Sequence, residues 1–137
     1  MSRFVLDTSV TMAWCFEDES SAAAIEILGS LTRRQAVVPA PWPAEVASAL
    51  WVGERRRRIT PAETRRFLAL LEGLNIQVDE PLSYARLGEV LAIAREQRIS
   101  PYDASFLELA IREALPLATI DRVLRKAAED SGIRVFS

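Results

Sequence analysis

Four acids are conspicuous for where they fall in the chain. Asp7 directly follows Phe4-Val5-Leu6, Glu45 follows Pro43-Ala44, Asp103 follows Ser100-Pro101-Tyr102, and Asp121 follows Leu117-Ala118-Thr119-Ile120. What they can do is narrowed by what the chain lacks. It has no histidine and one cysteine, Cys15, so it can build neither a Ser-His-Asp triad nor a His- or Cys-based zinc site, and no internal disulfide. Chemistry at neutral pH is left to carboxylates, hydroxyls, arginines and a hard metal ion. Four carboxylates brought together repel one another unless a cation neutralises them. Mg²⁺ or Mn²⁺ is the natural occupant, because hard cations take oxygen ligands. Ser9 and Thr119, each two residues from one of these acids, are candidate hydrogen-bond donors to them.

Taken singly, each acid has an ordinary explanation. Helix N-termini carry free N–H groups and a partial positive charge, so they attract acids. Asp7 and Asp121 can be N-caps, and Glu45 and Asp103 first-turn acids, the latter in a capping box with Ser100. Glu63 in Thr60-Pro61-Ala62-Glu63 reads as a capping box alone. The argument for a site is that the four converge.

The elements that must bring them together are short apolar runs alternating with helical patterns. Residues 4–6, 36–38, 75–78, 116–120 and 133–136 read as strands, the third of them weaker and more alternating, as at an edge. Helices are expected over 8–16, from a Ser20 cap to about 31, and from Pro43 to about 58 with Val46, Leu50 and Trp51 inward. Others are expected from Thr60 to about 74 and from Pro81 to about 97 with Leu87, Val90, Leu91 and Ala94 inward. The segment opened by Ser100 is apolar nearly all round, as a central buried helix should be, and a last helix follows Asp121. Alternating strands and helices predict an α/β fold with a parallel sheet between helix layers. In such a sheet the crevice lies beyond the carboxyl ends of the strands, where Asp7 and Asp121 fall.

The bulk properties set bounds. A chain of 137 residues, half of them hydrophobic, predicts one domain spanning 1–137 with a core that needs no staples. A formal net charge of −2 supplies no overall basic field, so nucleic acid must be met by a local patch. Arg55, Arg56 and Arg58, in the run Arg55-Arg56-Arg57-Arg58, are the candidate contacts to a nucleic-acid backbone, although a solvated helix end with cations suited to the dipole explains them as well. No apolar run approaches the ~20 residues that span a bilayer. With one cysteine and no secretion signal, a cytoplasmic location is expected.

Phe-Val-Leu-Asp-Thr-Ser at the start, Pro-Ala-Glu-Val around Glu45, Ser-Pro-Tyr-Asp-Ala around Asp103 and Leu-Ala-Thr-Ile-Asp ending at Asp121 together resemble the PIN domain, and within it the small bacterial VapC-type toxins. Each motif alone is weak; four in order across nearly the whole chain are specific. The resemblance implies a three-layer fold with a central parallel sheet of four to five strands in the order 3-2-1-4-5, flanked by helices. It implies an acidic site of Asp7, Glu45, Asp103 and Asp121, with Asp7, Asp103 and Asp121 holding Mg²⁺ or Mn²⁺ and with Ser9 and Thr119 in support. It further implies endonucleolytic cleavage of RNA, a cognate antitoxin bound to the apolar faces around residues 43–74, and a homodimer. Pro101 departs from many relatives, which carry an aromatic or apolar residue there.

Two readings compete. A receiver-like signalling domain also gathers acids at strand ends, but needs an early acid pair and a late lysine; the only lysine, Lys126, falls within a predicted helix. A non-catalytic PIN domain acting as a protein-binding module tends to lose acids, and this chain has all four. A phosphatase of the haloacid dehalogenase type is disfavoured because position 9 is Ser and not a second Asp.

Overall fold

The computed structural model describes residues 2–136. Its strands are β1 (Ser2–Leu6), β2 (Arg34–Val38), β3 (Ile76–Val78), β4 (Leu117–Ala118) and β5 (Val135–Phe136). They form one sheet in the order β3-β2-β1-β4-β5, with every neighbouring pair parallel. The helices are α1 (Thr8–Cys15), α2 (Ala22–Ser30), α3 (Trp42–Arg55), α4 (Pro61–Glu72), α5 (Tyr84–Gln97), α6 (Pro101–Glu113) and α7 (Arg122–Asp130).

Burial explains why β1 lies at the centre. Phe4, Val5 and Leu6 are consecutive and all are fully buried. Successive side chains on a strand point to opposite faces, so both faces of the sheet are covered there. Val5 sits in register with Val37 on one side and Leu117 on the other. Because all pairs run parallel, the ends at Leu6, Val38, Val78 and Ala118 share one rim. As its weaker pattern predicts, β3 is an edge. The most buried helix is α6, in which every residue from Ala104 to Ala110 is buried; it packs on β1 and β4.

Several boundaries and faces differ from expectation. Ser21, not Ser20, caps α2, its Oγ accepting from Ala24 N–H at 3.1 Å; Ser20 instead closes a short 3-10 helix, Glu17–Glu19. Ser83 caps α5 by accepting from Arg86 N–H at 3.3 Å, a task Pro81 cannot perform. The helix α3 ends at Arg55, because Arg57 adopts a left-handed φ of 58°. Trp51 points outward and is 58% exposed, one residue round the helix from buried Leu50. Leu87 and Leu91 are likewise exposed, since α5 meets α6 along a narrow seam of Val90 and Ala94 against Ala104. On α3 and α5 the expected apolar face contains residues that are buried but is wider than the face that packs.

Candidate active site at the carboxyl ends of the strands

Asp7 is the residue at which β1 leaves the sheet. Its N–H donates to Ala118 O at 3.0 Å, which fastens it to the end of β4. Its carboxylate does not cap α1. Instead Oδ2 accepts from Ser9 Oγ at 2.5 Å and from Thr119 Oγ1 at 2.7 Å. The same hydroxyls take backbone donors from the neighbouring strand exit: Ser9 Oγ accepts from Ile120 N–H at 3.3 Å, and Thr119 Oγ1 from Asp121 N–H at 3.1 Å. Two hydroxyls therefore couple the exits of β1 and β4 and hold one carboxylate oxygen between them. Burial raises the Asp7 carboxyl pKa, the hydroxyl donors oppose that rise, and the charge of Asp121 adds to it.

Asp121 is the one acid of the four that caps a helix with its carboxylate, Oδ1 accepting from Val123 N–H at 2.9 Å. Asp103 lies in the first turn of α6. There the capping is done by Ser100, whose Oγ accepts from Asp103 N–H at 3.1 Å. Burial, then the charges of Asp7 and Asp121, push the Asp103 carboxyl up to about 6. Glu45 lies in the first turn of α3, after β2. Burial, then Asp7 and Asp103, push it up to about 7. Its Oε1 and Thr8 Oγ1 are buried and form no hydrogen bond of good geometry, although the Thr8 hydroxyl lies near enough to favour the ionised Glu45.

Four acids from four separate segments thus lie close enough for their charges to act on Asp7, Glu45 and Asp103. The donor set is all oxygen, one buried carboxylate oxygen has no partner, and charge repulsion is unrelieved; each feature fits a hard divalent cation. Among the described residues no three acids already form a closed coordination group.

The arginines are placed differently from one another. Arg58 is held by Asp18 and Glu19, each at 2.8 Å, with its guanidinium 4.1 Å from the Phe16 ring centroid. Arg55 stacks on Trp51 at 4.8 Å, and Arg56 is exposed beyond the helix end. The run therefore forms no single surface. Sequence reasoning passed over Thr8, although it lies between Asp7 and Ser9. It also passed over the ion cluster of Arg112 with Glu108 at 2.8 Å and Asp79 at 2.6 Å: Glu108 and Arg112 stand at i,i+4, a readable spacing, but nothing local points from Arg112 to Asp79, 33 residues earlier.

A family model described as PIN domain matches residues 4–130. The chain matches no curated protein. Among solved structures it is similar to PAE2754 from Pyrobaculum aerophilum, with a TM-score of 0.74 and 24% identity over 98% of this chain and 89% of that one. It is also similar to VapBC2 from Rickettsia felis bound to a DNA fragment from their promoter, with a TM-score of 0.69 and 12% identity over 98% and 99%. A third is FitAcB from Neisseria gonorrhoeae, with a TM-score of 0.61 and 19% identity over 98% and 96%. At such identities the likeness is one of fold.

Proposed function

The chain belongs to the PIN domain family, and from that premise we propose that it is a Mg²⁺- or Mn²⁺-dependent endoribonuclease, the toxin of a type II toxin–antitoxin pair. The observation that carries this reading is the convergence of Asp7, Glu45, Asp103 and Asp121 from four separate segments, where burial first and then a charge on another of the four raise Asp7, Glu45 and Asp103. Asp7, Asp103 and Asp121 would hold the ion. When bound, the ion supplies an activated water and neutralises charge on the phosphate oxygens. Ser9 and Thr119 fix Asp7 in place and favour its ionised form against the burial that opposes it. Glu45, near 7, is the acid best matched to moving a proton at neutral pH. With no histidine in the chain, water rather than a ribose 2′-hydroxyl is the nucleophile, leaving 5′-phosphate and 3′-hydroxyl ends.

The antitoxin would lie in the apolar groove between α3, α4 and the edge strand β3, where Trp51, Leu68 and Val78 are exposed. A second copy of the chain is the expected homodimer partner. The receiver-like alternative is disfavoured by the strand order, which for such folds is 2-1-3-4-5. It is disfavoured also by Lys126, which is exposed and paired with Asp130. Cleavage of a mixed RNA pool with Mg²⁺, Mn²⁺ or EDTA, beside Asp7→Asn and Asp103→Asn, tests the proposal. Metal-dependent 5′-phosphate products, lost in both folded variants, are expected. Cutting that survives EDTA or both substitutions would point to another site or a contaminant. Metal binding without cutting would favour the protein-binding module.

A further inference from the structure

A groove of about 510 Å³ opens beside the acidic site, running between α1 and α3. Its lining includes Glu45 and Thr8, whose Oε1 and Oγ1 are buried without hydrogen-bond partners of good geometry. Met12, Phe16 and Val52 give it apolar walls. Arg58, tied to Glu19 and lying over Phe16, closes the far end. At the mouth stands Tyr102, 59% exposed and next in sequence to Asp103. Its backbone is fixed, because Tyr102 O accepts from Ser105 Oγ at 2.5 Å.

We infer that this groove receives one unstacked nucleobase of the RNA, next to the phosphate being cut, with Tyr102 as its stacking surface. The inference rests on the nuclease reading above and names the part of the substrate that the adjoining site selects. A phosphate does not suit the groove, because Glu19 and Glu45 line it and its cation, Arg58, is already held by Asp18 and Glu19. A base does: it is flat, uncharged and apolar on its faces, and aromatic stacking on splayed single-stranded bases is the usual basis of RNA recognition. When ionised, Glu45 offers Oε1 as an acceptor that no protein donor fills, so the base edge that reaches it should carry a donor. The exocyclic amino groups of adenine, cytosine and guanine provide one. Tyr102 and Asp103 are adjacent in the chain, so the stacked base and the scissile phosphate belong to the same or neighbouring nucleotides.

The test is cleavage of a randomised 12-nucleotide single-stranded RNA pool with Mn²⁺, followed by sequencing of the product ends. Wild type is compared with Tyr102→Ala, Tyr102→Phe and Ser48→Trp, the last filling the groove from an exposed position of α3. Wild type should prefer amino-bearing bases at one position beside the cut. Tyr102→Ala should lose that preference and about tenfold in kcat/KM, Tyr102→Phe should restore it, and Ser48→Trp should abolish it. RNA cut by all four proteins with the same ends and rates would overturn the groove assignment and leave the nuclease reading standing. A wild-type protein that neither cuts nor binds the pool would overturn both.

Discussion

Thr119 donates a hydrogen bond of 2.7 Å to the carboxylate of Asp7 across 112 residues of chain. That oxygen also accepts from Ser9, and Thr119 Oγ1 accepts from the Asp121 N–H. One hydroxyl thus sets the orientation of one acid and the backbone of another. Thr119 is fully buried, so Thr119→Val, close in shape, removes the hydroxyl without opening a cavity. On the proposal that Asp7 holds the ion, loss of such outer support typically costs 10–100-fold in metal affinity or activity. We expect Mn²⁺ binding, measured by calorimetry, to weaken by about tenfold or more while the circular dichroism spectrum is unchanged. Unaltered binding would mean that Ser9 alone suffices.

The acids make stability depend on pH in an unusual direction. Asp103 is pushed up to about 6 and Glu45 up to about 7, whereas both titrate near 4 in an unfolded chain. Between those limits the native state retains protons that the unfolded state has released, so this contribution is full below about pH 4 and is lost as pH rises through about 7. In EDTA, Glu45→Gln/Asp103→Asn should therefore melt above wild type near pH 8, with the gap closing towards pH 5. Added Mn²⁺ should raise the wild-type melting temperature at the higher pH and leave the double variant unmoved. Equal melting of both proteins in EDTA near pH 8 would show that the acids are not in conflict.

Much of this arrangement was readable from local pattern. A three-residue apolar run followed by Asp-Thr-Ser is short-range information, and so is Ser-Pro-x-Asp at a helix start. These located β1, α6 and the capping box of Thr60 with Glu63, which forms in full. What local pattern could not give was direction. Trp51 and Leu50 are equally apolar, and only the placement of α4 and β3 decides that one is buried and the other exposed. The same holds for Leu87 and Leu91. Nor could pattern separate a capping acid from a site acid: Asp121 caps α7 with its carboxylate while Asp7 does not cap α1, although the two occupy equivalent positions. The difference lies in Thr119 and Ser9, which turn Asp7 away from its own helix.

Gly53 sets two effects against each other. It is buried within α3, where alanine would gain about 1 kcal/mol of helix propensity. A Cβ there would stand 2.7 Å from Phe16 Cζ and 3.2 Å from Ile59 Cγ2, and Phe16 is itself buried beneath the Arg58 guanidinium. Overpacking of this kind costs about 1–3 kcal/mol, so it should win. Gly53→Ala is expected to lower the urea midpoint and, by moving Phe16, to disturb the groove beside Glu45. A raised midpoint would mean that the Phe16 ring yields freely.

Glu108 is the acid most at risk from a single substitution elsewhere. It lies on the buried face of α6, 5% exposed, and is held by Arg112 one turn later, which also reaches Asp79 beyond β3. The guanidinium is thereby kept charged by two carboxylates, and it ties the central helix to the sheet edge. Arg112→Met removes the cation and leaves a carboxylate buried without its partner, a change that costs about 3 kcal/mol or more. Removing the acid as well should recover most of that loss, because an apolar pair of similar volume does not carry the desolvation penalty. The double variant Glu108→Leu/Arg112→Met is therefore expected to be much closer to wild type in urea denaturation than Arg112→Met alone. Additive losses in the double variant would place the role of Arg112 in its contact with Asp79, and so in holding β3 against the helix layer.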